Sequence, residues 1–139
     1  MEQQSPDPAR LRAEHDALAR RVAGVRQLLE PAAPNPRRVL GRLRALRVAL
    51  AEHLAHEDSE LYPQLVGGAD PAAAAIGMHL RCEYDYLTGD WNLYLLHWRP
   101  ARIAADWAGF VEDSRAMMAR LDARIARENA LLYPLLVAC

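Results

Sequence analysis

The chain has 139 residues, of which 52% are hydrophobic, and its formal net charge at pH 7 is −1. This length suits one compact domain and is too short for two ordinary ones, so we predict a single domain over residues 1–139. Acidic and basic residues are scattered along the chain, which argues against nucleic acid as a partner. No signal region opens the sequence and no apolar run reaches the roughly 20 residues that cross a bilayer, so we expect a cytoplasmic protein that does not bind membranes.

Three predicted helices begin at an Asx residue followed by proline, namely Asp7-Pro8, Asn35-Pro36 and Asp70-Pro71. The Asx side chain caps free amide groups, and proline fits the first helical position because its missing donor would be unpaired there. In chain order, the predicted helices are A (8–30), B (36–66), C (71–98) and D (100–136, without an Asx cap). Short breaks between long helices favour antiparallel neighbours, so the predicted fold class is all-α, an antiparallel up-down-up-down four-helix bundle.

Polar residues fall on the apolar stripes that would form the core. His15 lies on the inward face of helix A, between Leu11 and Leu18, and His53 and Glu57 lie one turn apart on the buried face of helix B. A buried carboxylate must be ion-paired, protonated or bound to a metal, and His-x-x-x-Glu on one helical face is a natural pair of cation ligands. The alternative is a core histidine at His15 and a buried salt bridge at Glu57.

The sequence patterns of helices A and B recur in helices C and D. Residues 11–18 (LRAEHDAL) of helix A match residues 80–87 (LRCEYDYL) of helix C. Tyr84 therefore occupies the place of His15.

A second match joins helices B and D. Residues 53–63 (HLAHEDSELYP) correspond to residues 124–134 (RIARENALLYP). Arg124 takes the place of His53, whereas Glu128 retains the carboxylate of Glu57.

These motifs resemble the hemerythrin-like, or HHE cation-binding, family over nearly the whole chain. The resemblance implies a four-helix bundle in which helices A and B each give one His, helices C and D give the remaining His ligands, and the carboxylates of B and D bridge two irons. Matched position by position, it implies four metal ligands, His15, His53, Glu57 and Glu128. Because Tyr84 and Arg124 depart from the pattern, one half-site is intact and the other is replaced.

Arg124 allows two hypotheses. Its guanidinium matches carboxylate geometry, so it could take over the charge of the second metal by pairing with Glu128, Glu57 or both. Alternatively, Arg124 replaces the metal altogether in a polar network with the Tyr84 hydroxyl. The chain would then be a metal-free helical module that binds a protein or a small molecule.

Helix C contributes two further candidates. Tyr84 is interpreted as a phenolate ligand, a hydrogen-bond donor to the site, or a packing residue. His79, about one turn earlier, is a weaker candidate ligand for the replaced half-site. The tryptophans of the second half are expected to fill the core, with a homodimer contact as the alternative, at Trp91, Trp98 and Trp107.

The two cysteines, Cys82 and Cys139, provide no framework for a disulfide scaffold or a thiolate metal site. Both are expected to be reduced.

Reversible O2 binding in the resembled family relies on two irons, so a replaced half-site disfavours O2 storage. Two His and two carboxylate ligands suit a single iron ion better than two. Manganese or zinc could bind to the same ligands. The added charge of Arg124 leaves a net positive site, which favours an anionic ligand or hydroxide. We therefore expect small-ligand or redox sensing or response, with O2, NO or peroxide as candidate ligands.

Overall fold

The structure is a computed structural model that describes residues 7–137, so Cys139 and the first six residues lie outside it. The described residues contain no strand, which confirms the all-α class for this part of the chain. Within it, no helix combines the length and the apolar character needed to cross a membrane. The elements are α1 (Pro8–Arg26), α2 (Pro36–His56), a first π-helical turn (Glu57–Leu61), α3 (Tyr62–Val66), α4 (Pro71–His97), α5 (Pro100–Ala105), α6 (Trp107–Arg127), a second π-helical turn (Glu128–Leu132) and α7 (Tyr133–Val137).

The three predicted Asx caps are present. The side chains of Asp7, Asn35 and Asp70 each accept a hydrogen bond from a backbone amide two or three residues further on, at 3.0, 3.2 and 3.0 Å respectively. A proline follows each of them inside the first helical turn. The starts of α1, α2 and α4 therefore follow directly from local sequence chemistry.

The predicted fourth helix is interrupted. α5 ends at Ala105, and Asp106 leaves the helical conformation with φ −138° and ψ 70°. Its carboxylate accepts the amide of Gly109 at 3.0 Å and so caps the start of α6. α1 also ends early, at Arg26 rather than at residue 30, because the amides of Leu28 and Leu29 donate to carbonyls only three residues before them.

Each Leu-Tyr-Pro motif lies at the end of a π-helical turn, and its Leu is the last residue of that turn. The amide of Tyr62 donates to the carbonyl of Glu57, five residues earlier, and the amide of Tyr133 donates to Glu128 in the same way. Proline comes next in both motifs, and its ring cannot sit against the carbonyl four residues before it, which favours the wider turn. Such turns are frequent at functional sites, and each begins at a candidate carboxylate.

The core consists of two apolar clusters with a polar layer between them. On α1, Leu11 belongs to the smaller cluster, Leu18 belongs to the larger one, and His15 lies between them. Glu128 is likewise preceded by Leu121 of the larger cluster and followed by Leu132 of the smaller. The three tryptophans are buried members of the larger cluster, as predicted. The fold thus places the candidate polar residues deep inside the molecule.

Candidate metal centre

The four residues predicted as metal ligands converge in the core. One ligand atom of each of His15, His53, Glu57 and Glu128 lies within 4.8 Å of the others. Nε2 of His15 is 3.0 Å from Oε2 of Glu128 and 3.8 Å from Oε1 of Glu57. Nε2 of His53 is 3.9 Å from Oε2 of Glu128 and touches Oε1 of Glu57. All four side chains are buried.

The other ring nitrogen of each histidine faces an oxygen acceptor. Nδ1 of His53 lies 2.9 Å from Oε1 of Glu14, and Nδ1 of His15 lies 2.9 Å from Oδ1 of Asn129. An ionised carboxylate only accepts, so Nδ1 of His53 is the donor. A histidine that donates from Nδ1 presents the Nε2 lone pair to the centre of the cluster, which is the arrangement that orients imidazoles towards a metal.

Glu57 lacks a hydrogen-bond partner. Among the described residues, none forms a hydrogen bond with either carboxylate oxygen of Glu57 or with Nε2 of His53, although these atoms are buried. Burial is the main cause that raises the pKa of Glu57, the charge of Glu128 adds to it, and the adjacent imidazoles of His15 and His53 oppose it only in part. The imidazoles balance this buried carboxylate only when they are protonated, and a cation at this point would take over that role. The residues present therefore fit a metal ion.

Glu128, by contrast, already has a cation. Its Oε1 accepts a hydrogen bond from Nε of Arg124 at 2.7 Å. The same guanidinium donates to the carbonyl of Leu80 at 2.8 Å and to the hydroxyl of Tyr62 at 2.7 Å. Burial opposes ionisation of Glu128, but hydrogen bonds with the two histidines and the charge of Arg124 hold its pKa well below the ordinary value. Of the two pairings predicted for Arg124, the structure contains the one with Glu128.

The cluster carboxylates favour the protonated form of both histidines. Burial lowers the pKa of His53, but its hydrogen bonds with Glu128, Glu57 and Glu14 raise it to about 10. Burial also lowers the pKa of His15, and the same two cluster carboxylates outweigh it, so this pKa is raised. A metal ion at Nε2 would compete with protons for these rings.

Tyr84 lies beside the cluster. The guanidinium carbon of Arg124 is 5.4 Å from the centre of the Tyr84 ring, close enough for a cation–π contact. Burial and the charge of Asp58 raise the pKa of Tyr84, which favours the neutral phenol over a phenolate, and its hydroxyl interacts with Thr88. Tyr84 therefore packs against Arg124 as a neutral phenol.

His79 does not reach the cluster. Its side chain is 67% exposed, and its Nε2 lies 3.0 Å from Oε1 of Glu83, one turn along α4. The inward face of this helix is occupied by Leu80 and Tyr84, so the spacing that joins His79 to Glu83 places both on the outside. The structure therefore gives no support to His79 as a ligand.

Three residues close to the site were missed by sequence reasoning. The hydroxyl of Tyr133 lies 2.7 Å from Nε2 of His15, in addition to the contacts of Asn129 and Glu14 described above. Tyr133 could have been found from the repeated Leu-Tyr-Pro motif, since Tyr62 lies beside Tyr84 as Tyr133 lies beside His15. Asn129 and Glu14 are sequence neighbours of predicted ligands, but adjacency alone does not identify which ring nitrogen they contact.

A small cavity adjoins the cluster. Its volume is about 40 Å³, and most of its wall consists of apolar side chains, among them Leu18, Leu50 and Trp91. The polar residues that border it are His15, His53, Tyr84, Thr88, Arg124 and Glu128. The cavity exceeds the space needed for a single water molecule, so a small ligand fits beside the cluster.

An all-helical chain with two imidazoles and two carboxylates converging in its core defines a class of candidate metal-binding helical proteins. The chain matches the family model of the hemerythrin HHE cation-binding domain over residues 7–136, and it belongs to this family. No curated protein and no solved structure matches it significantly.

Proposed function

We propose that the protein binds one metal ion through His15, His53, Glu57 and Glu128, and that it acts in small-ligand or redox sensing or response rather than in O2 storage. The supporting observation is the pairing of both Nδ1 atoms with acceptors around a buried Glu57 whose carboxylate oxygens form no hydrogen bond with the described residues. Iron is the expected ion, and manganese or zinc suits the same donors. Once bound, the ion would supply a Lewis-acidic and, for iron or manganese, redox-active centre.

The proposed roles follow from the contacts of each residue. His15 and His53 are neutral ligands, held in orientation by Asn129 and Glu14. Glu57 is the anionic ligand that depends on the metal for its partner. The remaining ligand, Glu128, shares its charge with Arg124 on the side where the family places a second ion. We extend this to the whole chain as an antiparallel up-down-up-down four-helix bundle around a single ion.

Charge and cavity size narrow the ligand class. Two carboxylates, a divalent ion and one guanidinium leave a net positive charge, which favours an anionic ligand or hydroxide. The adjoining cavity of about 40 Å³ admits only a molecule of few heavy atoms. O2, NO and peroxide are the candidate ligands.

Metal analysis tests the proposal. Protein from iron-supplemented culture, dialysed and analysed by atomic spectrometry, should contain about one ion per chain, and His53→Ala should lose it because a buried ligand is removed. His79→Ala is the matched control, since it removes an exposed histidine and should retain the metal. Wild-type protein that takes up no iron, manganese or zinc on reconstitution overturns the proposal.

The second candidate is a metal-free helical module that binds a protein or a small molecule. It is favoured by Arg124, whose three nitrogens all donate hydrogen bonds inside the core. In that case the Glu57 carboxyl would be protonated, which agrees with the direction of its pKa. Failure of reconstitution together with an unchanged melting temperature in the presence of metal would select this candidate.

A further inference from the structure

The outward face of α4 carries an exposed stripe with alternating spacings of four and three residues. We call it the α4 seam, and its members are Cys82, Tyr86, Gly89, Leu93 and Leu96. Tyr86 is 79% exposed, and Leu93 and Leu96 are each 65% exposed. The spacing is that of the core positions of a coiled coil.

The α4 seam is separate from the face of α4 that packs inward. Tyr84 and Trp91 belong to the buried stripe, so the seam lies on the opposite side of the helix. Single exposed apolar residues are normal, but Tyr86, Leu93 and Leu96 share one face over about 15 Å of helix. A continuous apolar strip of this kind indicates a protein contact.

We propose that the α4 seam pairs with the α4 seam of a second copy of this chain, in an antiparallel homodimer. The two ends of the seam are complementary in shape. Near the N-terminal end of the seam, the exposed side chain of Tyr86 forms a knob. At the C-terminal end, Leu93 and Leu96 line a depression of about 500 Å³ bordered by His97, Arg99 and Arg102. A two-fold axis across the seam brings each knob to the partner's depression, so the contact is made twice.

The charges beside the seam favour the same antiparallel orientation. Asp85 is exposed on the N-terminal side of the seam, and Arg99 is exposed at its C-terminal end. Antiparallel pairing places Asp85 of one copy near Arg99 of the other, whereas parallel pairing would bring like charges together. Asp90, close to the two-fold axis, is already paired with Arg120 of its own chain at 2.8 Å.

The glycine at position 89 also favours a dimer contact at the α4 seam. Apart from the adjacent backbone of its own helix, a Cβ atom built at Gly89 would meet no atom within 4 Å, so internal packing does not require glycine there. A glycine inside an exposed helix costs about 1 kcal/mol relative to alanine. In the dimer the absent side chain allows the two helices to approach closely, and Leu93 of the partner copy packs over the gap.

Light scattering after size-exclusion chromatography tests the dimer. The wild-type protein should have twice the 15.6 kDa mass of one chain. Leu93→Asp should reduce this to one chain, with an unchanged helical circular dichroism spectrum because the side chain is exposed. Val48→Asp is the matched control, since Val48 is 59% exposed on α2 and its variant should remain dimeric. A monomeric wild type, or a dimer that survives Leu93→Asp, overturns the proposal.

Charge exchange and cross-linking test the orientation. Asp85→Arg should weaken the dimer at least 10-fold, and adding Arg99→Asp should restore it.

Cross-linking uses variants in which Cys139 is replaced by Ser. When Cys82→Ser and Asn92→Cys are added, oxidation should join the two copies through position 92, because this position lies beside the two-fold axis. The variant that keeps Cys82 alone should stay uncross-linked, since antiparallel pairing separates the two copies of Cys82. A disulfide between those two cysteines would contradict the antiparallel arrangement.

Discussion

Glu14 contacts the site only through the ring of His53. Its carboxylate accepts a hydrogen bond from the N–H group at Nδ1 of His53. This contact favours the tautomer in which Nδ1 carries the proton and the free Nε2 faces the cluster. Glu14→Ala should therefore weaken metal binding by about 10- to 100-fold, while the chain still takes up one ion at saturating metal. The measurement is a competition titration against a chelator of known affinity.

The control for Glu14 comes from the internal repeat. Glu83 is its counterpart, but it pairs with Arg127 at 2.9 Å on the surface and not with a cluster histidine. Glu83→Ala should leave metal affinity unchanged. An equal loss of affinity in the two variants would show that Glu14 does not act through the ring of His53.

Tyr84 and Arg124 offer a test of the replaced half-site. They stand at the repeat positions of His15 and His53, and the Nε atom of Arg124 lies 2.7 Å from Oε1 of Glu128, the oxygen that faces away from the intact half. Replacing both, by Tyr84→His and Arg124→His, should raise the metal content from one towards two ions per chain. Tyr84→Phe alone is the control and should keep one ion. If the double variant also keeps one, the two halves have been aligned incorrectly.

Sequence analysis could identify the cluster but not its supporting residues. Helical periodicity placed His15, His53 and Glu57 on buried faces, and the internal repeat added Glu128. The resemblance to the HHE family then implied that these four are metal ligands, and the pairing of Arg124 with Glu128 follows from their spacing of four residues. The contacts of Asn129 and Glu14 join residues 114 and 39 positions apart. They depend on helix rotation and packing distance, which periodicity within one helix does not determine.

The helices differ in how completely local chemistry specifies them. Asx-Pro pairs defined three starts, but the start of α6 at Asp106 was missed, because no proline follows and the apolar pattern continues through the break. The π-helical turns were also missed. Each turn accommodates one extra residue, but the positions along the buried stripe keep spacings of three and four residues, which an ordinary α-helix also has.

The cap at Asp106, which separates α6 from α5, can be tested by mutation. Its side chain caps α6, so Asp106→Ala should lower the free energy of unfolding by about 1 kcal/mol. Asp106→Asn keeps an acceptor and should change it far less. Urea unfolding followed by circular dichroism measures both variants, and equal losses would show that the carboxylate charge, rather than the cap, matters. Metal content should be unchanged in either variant because Asp106 lies outside the cluster.

At the scale of the whole molecule, the polar layer interrupts the hydrophobic core. Two apolar clusters that could have been continuous are separated by two carboxylates, two imidazoles and a guanidinium. Such a layer stabilises a fold only when its hydrogen bonds are all satisfied, and those of the Glu57 carboxylate are not. Stability and metal occupancy should therefore be coupled through this one carboxylate.

Glu57→Gln separates the stability of the fold from metal binding. In the wild type, metal at 100 times its dissociation constant should add about 2.7 kcal/mol of stability and raise Tm by about 10 °C, and a chelator should reverse the shift. Glu57→Gln replaces a buried carboxyl that forms no hydrogen bond by a neutral amide of similar shape, so the metal-free variant should melt at or above the metal-free wild type. It also loses an anionic ligand, so metal should no longer raise its Tm. Differential scanning calorimetry with and without metal measures both effects, and a metal-dependent shift retained in the variant would place the ion somewhere other than at Glu57.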